Sequence, residues 1–162
     1  MQRRYVKGHK KRIRGNFMED RIRNLLEYLD WNQSVELQEM AIKELVNYKD
    51  LLIDSIITST GKHQWLNAVS FVCGLDESYQ LKFVPQLLLL LQDMNWPGAL
   101  EATELMVALE HSELKPHIVN ALIQANADND TIWIAWLKSF IEEIMLEDLL
   151  IEYKEIIHKA EW

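Results

Sequence analysis

The chain has 162 residues, of which 49% are hydrophobic and 26% are charged, as expected for one globular domain with a real core. Residues 1–17 hold seven Lys and Arg and no acid, whereas residues 18–162 hold ten basic residues and all 25 acids, a balance of −15. This excess of acid excludes duplex nucleic acid as a partner of the folded domain, because the domain repels phosphate over the Debye length of ~8 Å at physiological salt.

The basic segment at residues 1–17 has three interpretations. It could bind nucleic acid or another anionic surface, it could be an unstructured leader, or it could lie upstream of the true start, since Met18 opens the acidic part directly. No apolar stretch follows its charges, which argues against a secretory signal. We expect a disordered arm at residues 1–17 and a single domain at residues 18–162.

Two features indicate a cytoplasmic protein without membrane association. The longest aliphatic run, Leu87 to Leu91, is too short to span a bilayer. The chain has one cysteine, Cys73, and therefore no internal disulfide, which is typical of a reducing compartment. Because Cys73 lies in an apolar stretch, we expect its thiol to be buried.

Apolar residues at helical spacing predict four helices in the first half of the chain. The first covers residues 19–30, and the second follows Ser34, a suitable N-cap residue. A third helix is expected from about Tyr48 to Thr58. The fourth carries Trp65 and ends at Gly74.

The second half predicts five more helices. Residues 81–94 are apolar on nearly every side, which suits a helix between neighbours. Pro97 and Pro116 are each expected in a first turn, where the missing N–H has no helical partner. Asp130 is a suitable cap for a helix that carries Trp133, and a last helix is expected at about 146–160. No segment alternates as a strand would, so the chain is predicted to be all-α with about nine helices.

Two stretches about 66 residues apart have similar sequences. Leu29-Asp30-Trp31-Asn32 begins the first, and Gln92-Asp93-Met94-Asn95-Trp96 begins the second. Each stretch corresponds to two helical hairpins, so the sequence predicts two similar halves stacked as a small solenoid, with Trp65 and Trp133 in equivalent places. Such an architecture favours a binding surface over a catalytic pocket.

The segment at residues 90–97, with Ala102 and Leu105 after it, resembles a HEAT-type repeat, in which an Asp closes the turn after the first helix. The second half also resembles a family of small, uncharacterised bacterial helical proteins. The shared segments are Leu-Gln-Asp-x-Asn-Trp-Pro at 91–97, Pro-His-Ile at 116–118 and Asp-x-x-Trp-x-x-x-Leu at 130–137. The resemblance implies a HEAT-like, right-handed superhelix of helical hairpins. Gly98 replaces a bulkier residue usual in that family, which we interpret as a local packing difference.

The tryptophans are expected mainly in the core. Trp31, Trp65, Trp96 and Trp133 are predicted to be mostly buried, and Asp93 or Asp130 could accept an indole N–H. A second role in stacking on a ligand stays open for Trp96, Trp133 and Trp136.

The acidic residues suggest a binding surface. Glu101 and Glu104 are three residues apart on one helix face, and Glu36 and Glu39 are the corresponding pair in the first half. The second helices of such hairpins usually line the concave side, so these acids predict an anionic groove. The predicted partner-binding residues are Glu39, Lys43, Glu101, Glu104 and Trp136.

Catalysis is not expected from this sequence. His111 and His117 are six residues apart, which is not the spacing that presents two imidazoles to one metal. There is no glycine-rich phosphate loop and no nucleophile elbow. We therefore predict no enzymatic activity, no cofactor and no metal site.

These features favour a module that binds a basic protein or peptide through an acidic concave face. One specific form is an immunity protein that neutralises a cationic toxin, such as a nuclease, by occupying its phosphate-binding cleft. The alternatives are a scaffold that self-associates, through the exposed side of its terminal helix for example, and a hydrolase hidden in the concave groove. The sequence predicts no particular oligomeric state.

Overall fold

The computed structural model describes residues 6–161, with side chains from Phe17 onward, and within that range all regular structure is helical. The predicted all-α class, with nine α-helices in this range, is confirmed. The α-helices are α1 (Val6–Glu27), α2 (Val35–Leu45), α3 (Lys62–Cys73), α4 (Glu77–Leu88), α5 (Ala99–Val107), α6 (His111–Ala127), α7 (Thr131–Glu143), α8 (Glu147–Glu152) and α9 (Lys154–Ile157). Two 3₁₀ helices, Val46–Leu51 and Leu89–Gln92, continue α2 and α4.

Helix α1 extends across residues 17 and 18, and the expected division into an arm at residues 1–17 and a domain at residues 18–162 stays a prediction. Residues 1–5 and the side chains before Phe17, which include the predicted basic arm, lie outside the described residues.

Polar side chains define the starts of three helices. Ser34 accepts a hydrogen bond from the Leu37 amide at 3.3 Å and caps α2, and Asp130 accepts one from the Trp133 amide at 2.9 Å and caps α7. Asp76 caps α4 in the same way. These oxygens satisfy first-turn N–H groups that have no helical partner. The caps predicted at Ser34 and Asp130 are confirmed.

The predicted third helix, Tyr48 to Thr58, is wrong. The chain forms the 3₁₀ helix Val46–Leu51 and then a series of turns up to residue 60. The buried side chain of Gln86 satisfies the backbone of these turns: its Oε1 accepts from the amides of Ile57 and Thr58 at 3.1 and 3.2 Å, and its Nε2 donates to the Asp54 carbonyl at 2.9 Å. Hydrogen bonds from another helix thus replace those that a regular helix would make.

Three predicted helix boundaries also differ from the structure. Pro97 lies in the turn before α5, which begins at Ala99. Pro116 is inside α6 rather than in its first turn, because α6 already begins at His111. The last predicted helix is divided into α8 and α9 at Tyr153.

The helices pack as neighbouring pairs. Helix α1 contacts α2, α4 contacts α5, and α6 contacts α7. Between the pairs, α2 contacts α3, α3 contacts α5, and α4 contacts α6. Buried side chains from α1 to α9 form one continuous core. Among the described residues, no helix combines the length and the apolar character needed to cross a lipid bilayer.

The two similar stretches of sequence form the same turn. The Asp30 carboxylate accepts from the backbone and side-chain nitrogens of Asn32, each at 2.8 Å. The Asp93 carboxylate accepts from the same two groups of Asn95 at 2.9 and 3.0 Å. This is the Asx turn that Asp favours. After these turns the two halves differ in secondary structure. The second half has helix α6 at the position in sequence where the first half has a 3₁₀ helix and irregular turns.

The tryptophans differ in burial. Trp133 is 2% exposed, as predicted, whereas Trp31 is 44% exposed and contradicts the prediction. Trp65 and Trp96 are half-buried. The exposed Trp31 ring lies nearly perpendicular to the His63 ring, with 4.7 Å between the ring centroids.

The indole partners are backbone carbonyls rather than carboxylates. Trp133 Nε1 donates to the Leu88 carbonyl at 3.1 Å. Trp65 Nε1 lies 3.2 Å from the Ile57 carbonyl and 3.3 Å from the Thr60 carbonyl. The two acids that were predicted to accept an indole N–H bind other groups instead. Asp130 accepts a hydrogen bond from the backbone amide of Trp133, and Asp93 accepts one from the backbone amide of Asn95.

The difference between Trp133 and Trp31 can be measured. Replacing Trp133 by Ala removes a buried ring, and we expect a loss of ~3–5 kcal/mol in the free energy of unfolding. The exposed ring of Trp31 should contribute less than ~1 kcal/mol in the same test. Urea unfolding of Trp133→Ala and Trp31→Ala would show the difference, and equal losses would contradict the burial described above.

Candidate functional site

The exposed side of α2 forms a shallow groove with a volume of about 660 Å³. The lining side chains recur every three or four residues and therefore share one helix face. They are Glu36, Glu39, Met40, Lys43, Glu44 and Asn47. The structure thus brings together the predicted residues Glu39 and Lys43.

One end of this groove is fixed by an ion pair between α1 and α2. Arg21 binds the Glu44 carboxylate with two nitrogens, and the Nε to Oε1 distance is 2.8 Å. This hydrogen bonding lowers the pKa of Glu44 and raises that of Arg21. Such a two-point contact gives a defined geometry, so Glu44 is held in place at the border of the groove.

The acids of the second half lie on α5. Glu101 and Glu104 are both exposed, and α3 separates their helix from α2. Partial burial raises the pKa of the Cys73 thiol, at the end of α3, and the Glu101 carboxylate raises it further. Helices α3 and α5 are in contact. Cys73 itself is exposed, so the prediction of a buried cysteine is wrong.

Trp136, the remaining predicted residue, lies on α7. Its ring is half-buried and packs against the core, and it does not line the α2 groove. The structure therefore separates the predicted residues into three places: Glu39 and Lys43 on α2, Glu101 and Glu104 on α5, and Trp136 on α7. Their joint role in binding stays a prediction.

The acids predicted to bind a partner are not held in ion pairs by the described residues. Glu39, Glu101 and Glu104 form no ion pair within the part of the chain that the structure describes. The ion pairs there involve other acids: Arg21–Glu44, Arg23–Asp20, Lys115–Asp148, Lys115–Glu152 and Lys138–Glu142.

The contact between α3 and α5 depends on Gly98, which has a positive φ of 86°. A Cβ atom at this position would lie 3.0 Å from the Trp65 carbonyl oxygen and 3.1 Å from Val69 Cγ2. Only glycine combines this backbone conformation with so close an approach. The glycine at position 98 therefore has a local packing cause, whereas the difference from the family at this position stays a prediction.

An aromatic cluster that the sequence analysis missed lies where α3 begins. The rings of Trp65 and Trp96 are 5.0 Å apart, and Lys62 Nζ lies 4.9 Å from the Trp96 ring. Trp31 and His63 form a second, edge-on pair at 4.7 Å, and the Trp31 amide donates to the His63 carbonyl at 3.0 Å. No spacing along the chain relates these residues, because two separate turns and the start of α3 contribute them.

A small cleft of about 230 Å³ lies between α4, α6 and α7, with Trp133 in its wall. His117 lines it, and burial lowers the pKa of this imidazole, while Glu113 has a smaller opposite effect. Across the described residues, no three His, Cys, Asp or Glu side chains come together in a way that could hold a metal ion.

Residues 57–159 match the model of a family described as a domain of unknown function, DUF5071, which covers more than half of the chain. The chain belongs to this family. The DUF5071 match extends from the irregular turns through α3 to α9, so it includes Glu101, Glu104 and Trp136 and leaves α1 and α2 outside. Membership of an uncharacterised helical family is thereby confirmed. No curated protein and no solved structure matches the chain significantly.

Gly98 provides a test of the contact between α3 and α5. Gly98→Ala places a Cβ against the Trp65 carbonyl in a strained conformation, and we expect it to lower the free energy of unfolding by ~1–3 kcal/mol.

Gly74→Ala is the matched control. Its Cβ would meet only ordinary contacts, the nearest at 3.5 Å, and its φ is negative. This variant should be neutral or more stable by up to ~1 kcal/mol. Equal effects of the two variants in thermal unfolding would show that the close approach at Gly98 is not a constraint.

Proposed function

We propose that this protein is an interaction module that binds a basic protein or peptide through the exposed acidic sides of α2 and α5, with α3 between them. The observation that carries the proposal is that Glu39, Glu101 and Glu104 are exposed on helices joined through α3, and none of them forms an ion pair among the described residues. Solvated carboxylates of this kind attract a cationic partner and accelerate its association.

The proposed architecture is a HEAT-like, right-handed superhelix of helical hairpins. It is supported by the contacts within the pairs α1–α2, α4–α5 and α6–α7, and by the matching turns at Asp30 and Asp93. In such a stack, α2, α5 and α7 are second helices and would line the concave side, together with α3, which contacts both α2 and α5. The acids would then face one partner together.

Exposed apolar side chains would supply contact area beside these charges. Leu66 on α3 and Leu100 on α5 are both exposed, and Leu100 is the direct neighbour of Glu101. Charges at an interface mainly direct association, whereas buried apolar contacts contribute more of the affinity. We therefore expect the partner to present aliphatic or aromatic side chains among its basic residues. Lys43, the one base that lines the α2 groove, would pair with an acid of the partner.

An immunity protein against a cationic toxin is the most specific form of this proposal. The acidic surface would occupy the cleft in which a nuclease binds phosphate, and the excess of 25 acids over 17 bases suits such a partner. The neighbouring gene offers an inexpensive check. A toxin-like reading frame immediately upstream would support this form, and a metabolic operon would contradict it.

Charge reversal on α5 tests the proposed surface. Replacing Glu101 and Glu104 together by Lys should leave folding nearly unchanged, because exposed unpaired charges contribute little to stability. Capture of a partner from an extract of the native host should weaken, and association with the purified partner should become slower. A higher salt concentration should likewise slow the association of the wild-type protein with this partner.

The matched control reverses two other exposed acids, Glu113 on α6 and Glu155 on α9, by the same total charge. If only net charge matters, both double variants will bind equally weakly. A partner retained in full by the Glu101→Lys, Glu104→Lys variant would exclude α5 as the binding surface.

A further inference from the structure

A second groove lies beside α1, on the side where α1 meets the irregular turns and the start of α3. Its volume is about 630 Å³. The apolar part of the lining comes from Met18, Ile22 and Leu26 of α1 and from Leu51 of the first 3₁₀ helix. Charged side chains of α1 also line the groove: Glu19, Arg23 and Glu27.

Large apolar side chains are exposed around this groove. Leu51 is 58% exposed, Met18 is also exposed, and the preceding residue, Phe17, is 75% exposed. Phe17 is not among the residues that line the groove of its own chain. A groove with apolar walls next to a protruding phenylalanine marks an interaction surface rather than an ordinary part of the surface.

The charge pattern of α1 indicates which partner fits. Its first half, residues 6–16, holds five basic residues and no acid, whereas its second half, residues 17–27, holds Glu19, Asp20 and Glu27 with two arginines. The first turn has no acid and the last turn has no base, so the helix lacks the end charges that favour its own dipole. Residues 17–27 alone carry both signs of charge, so two antiparallel copies of α1 would bring acids of each helix close to arginines of the other.

We propose that two copies of this chain associate through antiparallel α1 helices, with Phe17 of each copy seated in the groove of the other. A two-fold interface requires a surface that complements itself, and α1 has both the protruding ring and the groove, and both signs of charge. With 22 residues, α1 is roughly 33 Å long. Two helices of that length can form an interface of standard size, about 800 Å² per partner.

This association goes beyond the proposed function, because it leaves Glu101 and Glu104 on α5 free. A dimer would carry two copies of the acidic surface and could hold a partner with two basic sites more tightly than a single copy could.

Sedimentation equilibrium of the full chain over a range of concentrations tests the proposal. We expect a dimer for the wild type and at least a ~10-fold higher dimer dissociation constant for Phe17→Glu, since interface anchors commonly contribute that much. Leu51→Glu, which changes the opposite side of the same contact, should have the same effect. Raised salt should also weaken the wild-type dimer.

Ile151→Glu is the matched control, because Ile151 is 75% exposed, as Phe17 is, but lies on α8. It should leave the dimer intact, and circular dichroism should show that all three variants remain folded. A wild type that stays monomeric at every concentration would overturn the proposal, as would a dimer that survives both Phe17→Glu and Leu51→Glu. Neither result would affect binding of a basic partner at α5, which is measured separately.

Discussion

The close approach of α5 to α3 at Gly98 is the constraint on which the arrangement of the candidate surface depends. With a side chain at that position, the backbone could not lie so near the Trp65 carbonyl. Because α3 also contacts α2, the same approach affects how far the acids of α5 lie from those of α2. It also brings Trp96 onto Trp65, so the ring contact and the helix contact stabilise the same junction.

A second constraint acts through Gln86. Its amide supplies hydrogen bonds to three backbone groups of the irregular turns, and this allows the first half of the chain to dispense with a regular third helix. The apolar side chains of that stretch still reach the core, since Leu52, Ile56 and Ile57 are buried. Leu51 is left exposed next to α1, which is how the groove beside α1 acquires one of its walls.

Much of the fold follows from local sequence, and its failures have identifiable causes. Helical spacing and the caps at Ser34 and Asp130 were sufficient to place α2 and α7, because the deciding contacts lie within a few residues. The apolar pattern between Tyr48 and Thr58 fits both a helix and a set of buried turns. The choice depends on Gln86, which lies about 30 residues further along the chain. Trp31 and Trp133 likewise differ in burial because of what packs on them, which spacing does not reveal.

For the candidate site, the sequence predicted which residues share a helix face but not how the helices lie beside one another. The spacing of Glu39 and Lys43 places them on one side of α2, and Glu101 and Glu104 share a side of α5 for the same reason. That α3 lies between these two helices, and that Trp136 is on a separate helix, depends on long-range packing. The aromatic cluster at the start of α3 was missed because two distant turns complete it.

The most direct test of the central claim is to map where a cation-rich ligand binds. Titrating isotope-labelled protein with an arginine-rich peptide, and following backbone amide shifts by NMR, locates the contact residue by residue. The account predicts that the shifts concentrate on α2 and α5, around Glu39, Glu101 and Glu104. Shifts that instead follow the acids of α8 and α9, or that spread evenly over all acidic residues, would contradict it.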